Sequence, residues 1–131
     1  MTLHLTVLPD VLAVCRLTPD PHAMPWLPAQ GFLSMTWTGD ELSIVCAAES
    51  VPGDVRQEGP WRAFRVAGPL DFALTGILAS LATPLAAAGI SIFAVSTFDT
   101  DFLLVRADRL DDAVATLTDA GHTVADRPHA P

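Results

Sequence analysis

Apolar and polar positions change their spacing several times in the second half of the chain, and each change predicts a new element. Alternation over Trp61–Val66 predicts a strand, and apolar residues at helical spacing over Phe72–Ala88 predict a helix. We expect Asp71 to cap this helix, Pro84 to kink it or to start a new turn, and Gly89 to end it.

The remaining pattern predicts two strands, a second helix and a final strand. The predicted strands are Ile90–Ser96, Phe102–Ala107 and His122–Ala125, with a tip at Thr97–Asp101 and a helix from Asp108, its cap, to Gly121. The order β-α-β-β-α-β is that of the ferredoxin-like unit, in which four antiparallel strands carry two helices on one face. The uncharged stretch Ile90–Val95 is expected at the centre of the sheet.

The first half of the chain is rich in strand patterns and poor in helix patterns. Four prolines between Thr18 and Gly31 exclude a long helix there, and Val51–Pro60 is broken by proline and glycine. The predicted strands are Leu3–Leu8, Leu12–Leu17, Phe32–Thr36 and Leu42–Ala47. We therefore predict an α+β protein with a strand-rich module at 1–60, a βαββαβ module at 61–127 and a tail at 128–131.

A faint internal repeat connects the halves. Thr36–Val45 matches Ser96–Val105 at an offset of 60, since in both segments hydroxyls and an aromatic residue precede an acidic residue and a strand. This favours two copies of one small module, the first with reduced helices. Chance similarity between two strand–turn–strand units is the alternative.

Composition narrows the classes of partner. Half of the 131 residues are hydrophobic and the mean hydropathy is +0.40, which is typical of a folded domain. A net charge of −8 disfavours nucleic acid and anionic membranes as partners and suits a cationic or zwitterionic small molecule. Residues 72–98 carry no charge, but their polar residues, Pro84 and acidic flanks favour a buried helix and strand over a membrane span. The start of the chain resembles no signal peptide, so a cytoplasmic location is expected.

The residues that could carry catalysis do not form a recognisable set. Cys15 and Cys46 are far apart within apolar runs, so buried small hydrophobes are favoured over a disulfide or a nucleophile. Four scattered histidines lack the spacing of metal ligands, and no nucleotide-binding or hydrolase motif occurs. We expect no enzyme activity, no metal and no cofactor.

Two segments could recognise a ligand. At the tip, turn chemistry ranks first for Asp99, a binding role is favoured for Asp101, and a metal site is the third option. At the start of the first helix, after Gly68, backbone N–H groups could bind a carboxylate, and Gly76 would permit close approach of a ligand or of a strand. One segment suits a carboxylate and the other a cation, and a free amino acid carries both.

These residues resemble a known family. The segments 68–77, 88–93 and 96–102 are similar to ACT domains of the CASTOR and aspartate-kinase regulatory type, and 40–46 looks like the partner strand of small bacterial tandem ACT proteins. The resemblance implies paired βαββαβ modules with an amino acid between them. By motif position it assigns ligand binding to Asp71, Gly76, Ile77, Thr97, Phe98 and Asp101.

The resemblance implies a non-catalytic regulatory sensor, expected to be a homodimer, that binds a free amino acid. An acidic residue at Asp101 is similar to the arginine-sensing members, whereas Leu74 stands where an acidic residue would help to hold a basic side chain. The alternative is a ligand-free interaction module that regulates an enzyme of amino-acid metabolism by pairing at its sheet edges. A thermal-shift panel over amino acids distinguishes the two.

Overall fold

The computed structural model describes residues 1–20, 26–71 and 74–126. The chain divides into two compact units, a larger one of Met1–Pro9 with Arg62–Pro131 and a smaller one of Asp10–Trp61. The predicted tail, 128–131, lies outside the described residues. In chain order the elements are β1 His4–Val7, β2 Leu12–Leu17, β3 Leu33–Trp37, β4 Leu42–Ala47, β5 Arg56–Val66, α1 Ile77–Ala87, β6 Ile92–Ser96, β7 Asp101–Arg106, α2 Leu110–Asp119 and β8 Thr123–Asp126.

The larger unit contains the predicted βαββαβ order, formed by the second part of β5 and the elements that follow it. Its strands lie in the order β6-β7-β5-β1-β8. An additional strand, β1, separates β5 from β8: Leu5 pairs antiparallel with Val66 on one side and parallel with Val124 on the other. The predicted boundary at residue 60 therefore misplaces Met1–Pro9, which belongs with the larger unit.

Strand β6 is at an edge of this sheet and not at its centre, since β7 is its single strand partner among the described residues. The expectation of a central position was wrong. Its side chains are exposed or half-buried along the whole strand. Burial on both faces of a sheet therefore does not explain why this segment has no charged residue.

The core of the larger unit lies between the sheet and both helices. Leu81 and Leu85 of α1 and Leu117 of α2 are fully buried, and they pack with inward-facing strand residues such as Phe64 and Val105. The helical spacing in the sequence predicted the burial of these three leucines correctly, but it also placed Leu74 and Leu78 on the buried face of the first helix, and both are exposed.

Both helix starts differ from the prediction. Helix α1 begins at Ile77 after Gly76, whose φ of +79° is incompatible with a right-handed helix, so Asp71 is not its cap. Phe72, the predicted first helical residue, lies outside the described residues. Helix α2 begins at Leu110, and Asp108 sits in a short 3-10 helix without capping it.

The smaller unit is a sheet with the strand order β3-β4-β2-β5. Only the first part of β5 belongs to this unit. Strand β5 starts at Arg56, within the segment predicted to be broken. Among residues 10–20 and 26–61 the single helical element is a short 3-10 helix at Ala48–Ser50. Cys15 and Cys46 are buried in its apolar core, as predicted.

The hairpin turns of the two units have the same hydrogen bonds. In each, a threonine N–H donates to the carbonyl three residues on, over 2.9 Å, from Thr38 to Glu41 and from Thr97 to Thr100. The threonine hydroxyl in turn accepts a hydrogen bond from the N–H of that third residue. The turns therefore match at an offset of 59 residues, one fewer than the sequence suggested, whereas the duplication itself remains a prediction.

No helix in the described part of the chain is long and apolar enough to cross a bilayer. This agrees with the interpretation of 72–98 as a helix followed by a strand.

Candidate functional site

A pocket of about 330 Å³ lies in the larger unit, between the segment that leads into α1 and the turn that joins β6 to β7. All six residues that the family resemblance assigned to ligand binding line it: Asp71, Gly76, Ile77, Thr97, Phe98 and Asp101. The structure thus brings together two segments that are about 25 residues apart in sequence. Their role in binding remains a prediction.

Two backbone contacts tie the walls of the pocket to each other. The Leu70 N–H donates to the Asp99 carbonyl over 2.7 Å. A Cβ on Gly68 would lie 3.0 Å from the same carbonyl oxygen and 3.1 Å from the Thr100 Cβ. Because this separation leaves no room for a side chain, Gly68 allows the two segments to meet.

Thr100 anchors the turn to the sheet beneath it. It is buried, and its hydroxyl donates to the Val66 carbonyl of β5 over 2.6 Å. The Thr97 hydroxyl donates within the turn to the Thr100 carbonyl over 3.1 Å. These bonds hold the tip residues, Phe98 and Asp99, outward at the mouth of the pocket.

The opposite wall includes the N-terminal end of α1. Gly76 in its left-handed conformation turns the chain into the helix, and the first N–H groups of a helix have no acceptor within it. The helix is 11 residues long and has no acidic residue in its first turn. This end therefore presents N–H donors and a partial positive charge, and no acidic side chain in the first turn neutralises that charge.

The charged side chains that line the pocket are all acidic, and most of the others are apolar. Three carboxylates line it, those of Asp71, Asp99 and Asp101, and none of its described lining residues is basic. Apolar contact area is supplied by Leu70, Leu74, Leu78 and Phe98, and Phe98 is 80% exposed. The combination suits a small molecule that carries both a carboxylate and a positive charge.

The sequence did not predict a place in the pocket for several of the residues that line it. Asp99 forms the turn, as predicted, but it also borders the pocket. The structural role of Thr100 was not predicted, because its hydroxyl is one of several in the tip and only the strand pairing shows which of them faces inward. The other lining residues that were not predicted are Leu70, Leu78 and Ser96, whereas Leu74 lines the pocket as its predicted place beside the ligand side chain would require.

A family model described as an ACT domain matches residues 57–119, and a second, described as an N-terminal domain, matches residues 10–54. Residues 57–119 belong to the ACT-domain family. The ACT match begins in β5 and ends in α2, so it contains every lining residue of the pocket.

Individual relatives agree with this assignment. The human cytosolic arginine sensor for mTORC1, subunit 1, is 35% identical over an alignment of 122 residues, and the match covers 86% of this chain and 37% of that protein. The chain therefore spans little more than a third of that relative. A crystal structure from Agrobacterium tumefaciens is 40% identical, with a TM-score of 0.91 and coverage of 100% and 98% of the two chains.

The fold also occurs in more distant proteins. The regulatory subunit of aspartate kinase from Thermus flavus is 11% identical, with a TM-score of 0.62, and the match covers 88% of this chain and 95% of that one. At this identity the similarity concerns the fold alone. The ACT assignment and the predicted α+β fold class are thus confirmed.

Proposed function

We propose that this protein is a non-catalytic regulatory sensor that binds a free amino acid in the pocket beside α1. The observation that carries the proposal is the distribution of charge around the pocket. The N–H groups at the start of α1 lie on one wall, which also carries Asp71, and the carboxylates of Asp99 and Asp101 lie on the other. An amino acid carries the complementary pair of charges.

In this proposal the ligand carboxylate accepts hydrogen bonds from the backbone around Gly76 and Ile77. The Asp101 carboxylate, which is half-buried at the start of β7, pairs with a cationic group of the ligand. Half-burial strengthens such a pair relative to a fully exposed one, because water screens it less. Thr97 and Phe98 cover the ligand from the tip.

A basic amino acid suits the pocket best. It carries two positive charges, one on the α-ammonium group and one on the side chain. Three carboxylates line the pocket, and the α-ammonium group would pair with only one of them. The similarity to a protein named as an arginine sensor supports arginine as the first candidate. The exposed Leu74 would contact the aliphatic part of such a side chain.

The regulatory step would be a change in assembly. We propose a homodimer in which the edge strand β6 of one copy lies beside that of the other and the bound amino acid favours one arrangement of the pair. A ligand shifts such an equilibrium only by its difference in affinity for the two states. By analogy with the relative named as cytosolic, the protein would act in the cytoplasm.

The test is calorimetric titration with L-arginine, L-lysine and L-citrulline, and sedimentation velocity with and without each. Citrulline matches arginine in shape but lacks its side-chain charge, so we expect tight binding of arginine and a loss of at least about tenfold with citrulline. Equal affinities would contradict a role for the carboxylates. Binding of no proteinogenic amino acid would contradict the proposal as a whole.

A ligand-free interaction module is the second candidate, and the unpaired edge of β6 favours it. Within the described residues β6 pairs with β7 alone. An exposed strand edge can add a strand from a partner. Formation of a complex with an enzyme of amino-acid metabolism, together with no thermal shift from any amino acid, would support this function instead.

A further inference from the structure

His122 is one of two polar residues in the buried set of the described chain, and the pocket does not contain it. It lies between the end of α2 and the start of β8, and it is 4% exposed. Its ring makes two hydrogen bonds that define which tautomer a neutral ring adopts.

The first bond defines which ring nitrogen carries the proton. The Leu3 N–H donates to His122 Nδ1 over 3.1 Å. A backbone N–H can only donate, so Nδ1 has to be the bare nitrogen. In a neutral ring the proton is then on Nε2, which lies 3.0 Å from the Ser80 carbonyl oxygen and donates to it.

The second bond satisfies a carbonyl that α1 itself cannot satisfy. In a regular helix the Ser80 carbonyl would accept from the N–H of residue 84, but residue 84 is a proline and has none. His122 supplies the missing donor. This explains how Pro84 is tolerated inside a continuous helix.

Ser80 connects this contact to the wall of the pocket. Its N–H donates to the Gly76 carbonyl over 2.9 Å, and its hydroxyl donates to the Ile77 carbonyl over 2.7 Å. Gly76 and Ile77 both line the pocket. A chain of hydrogen bonds therefore runs from the start of β1 through His122 and Ser80 to the first turn of α1.

We propose that His122 is a positioning residue that holds the first turn of α1, and with it one wall of the pocket, only while its ring is neutral. Protonation would place a second ring N–H against the Leu3 N–H, and two donors cannot bond. The first turn of α1 would then lose its support from β1. The effect on ligand affinity rests on the proposed amino-acid site.

The ionisable groups on the elements around His122 are few, and their side chains are exposed. Helix α1 has no ionisable residue. The Leu3 segment and β1 contribute the α-amino group of Met1 and the ring of His4, which is exposed and lies 2.6 Å from the Thr123 hydroxyl. The acidic residues of α2 and β8, which are Asp111, Asp112, Asp119 and Asp126, are all exposed. Histidine is the side chain that ordinarily changes charge between about pH 5 and 8.

The first test needs no ligand. Two-dimensional NMR of the full chain would record the ring nitrogens of His122 and the amides of Leu3, Gly76 and Ile77 between about pH 8 and 5. We expect the Nε2–H tautomer at the upper end of this pH range. The signals of the ring and of the amides should then change over the same pH interval. An Nδ1–H tautomer, or amides of Gly76 and Ile77 that do not follow the ring, would overturn the proposal.

Variants separate this effect from titration of the pocket carboxylates. His122→Gln offers an amide oxygen to Leu3 and an amide N–H to Ser80 without titrating, so it should keep the fold and abolish the shared titration. His4→Gln is the matched control and should leave that titration intact. Persistence of the amide titration in His122→Gln would contradict the proposal.

The second test uses L-arginine as the probe. We expect its affinity to fall by about tenfold more between pH 7.5 and 5.5 in the parent than in His122→Gln, since about one hydrogen bond is lost. Equal pH profiles would overturn the link to the pocket. If arginine does not bind at any pH, the arginine assignment fails, whereas the NMR titration still decides the role of His122.

Discussion

The Leu70 N–H and the Asp99 carbonyl oxygen are 2.7 Å apart and join the two walls of the pocket. Leu70 precedes α1, and Asp99 lies at the tip between β6 and β7. A movement of either wall therefore acts on the other through this bond. In the proposed sensor, a ligand bound at one wall would act on the edge strand β6 by the same route.

Thr100→Val should destabilise the larger unit by about 1–3 kcal/mol, because it removes the buried donor to the Val66 carbonyl while keeping the shape of the side chain. Urea unfolding measures the change. Thr118→Val is the matched control: its hydroxyl is exposed and bonds within α2, so the expected change is below about 0.5 kcal/mol. Similar losses in both variants would contradict an anchoring role for Thr100.

Gly76→Ala should cost about 1–2 kcal/mol, because a side chain is strained at φ +79° even though the space around it is open. The turn into α1 would also shift, and binding at the pocket would weaken with it. Gly39→Ala is the control, since a Cβ there meets no atom within 4 Å and its backbone is outside the strained region. Thermal unfolding should show a lower midpoint for the first variant only.

His122→Ala should destabilise the protein by about 2–4 kcal/mol, since it leaves the Leu3 N–H and the Ser80 carbonyl without their partner. Pro84→Ala restores an N–H that can reach the Ser80 carbonyl within α1. In that background the cost of His122→Ala should be smaller by about 1 kcal/mol. Denaturant unfolding of the four proteins completes the cycle, and strict additivity would argue that Pro84 and His122 are independent.

The stability of the protein should fall as the pH rises from about 9 to about 11. Burial, then the neighbouring Cys46, raises the pKa of the Cys15 thiol from 9.0 to about 11. Burial also raises the pKa of Cys46, although its hydrogen bond with Cys15 acts in the opposite direction. A folded-state pKa above the unfolded value stabilises the fold below the unfolded pKa, and this stabilisation is lost as the pH passes through the folded one.

The chain allows a clean measurement of this effect, because it contains no tyrosine and no lysine that would titrate in the same window. Urea unfolding at several pH values would follow it. Cys15→Val keeps an apolar side chain of similar size and should remove most of the decline. An unchanged decline in that variant would assign the effect to another group.

Asp101→Asn should weaken the binding of L-arginine by about tenfold or more while leaving the unfolding midpoint unchanged, because its carboxylate forms no ion pair within the described residues. Asp111→Asn is the control, since it removes the same charge from an exposed position on α2 outside the pocket. Calorimetric titration measures both. Equal effects would indicate a general influence of net charge.

Local patterns in the sequence determined most of the elements. The strand-like apolar runs Leu12–Leu17 and Leu42–Ala47 predicted both strands with their exact bounds. Helical spacing identified the buried residues of α1 and α2, although it also included the exposed Leu74 and Leu78. These features depend on neighbours in the chain, which the sequence displays directly. The helix starts were less predictable, because Asp71 and Gly76 both resemble helix boundaries and only backbone conformation separates them.

The six residues predicted to bind a ligand came from similarity to a family, and the fold places them around one pocket. Sequence alone determined the apolar faces, the strand-rich first half and the residue types available for binding. Tertiary structure decided that β1 joins the larger unit, that β6 is an edge strand, that the two turns match at 59 residues, and that His122 serves the carbonyl freed by Pro84. Each of these depends on pairing between distant segments, and the physical cost of an unpaired buried N–H or carbonyl group appears only once the chain is folded.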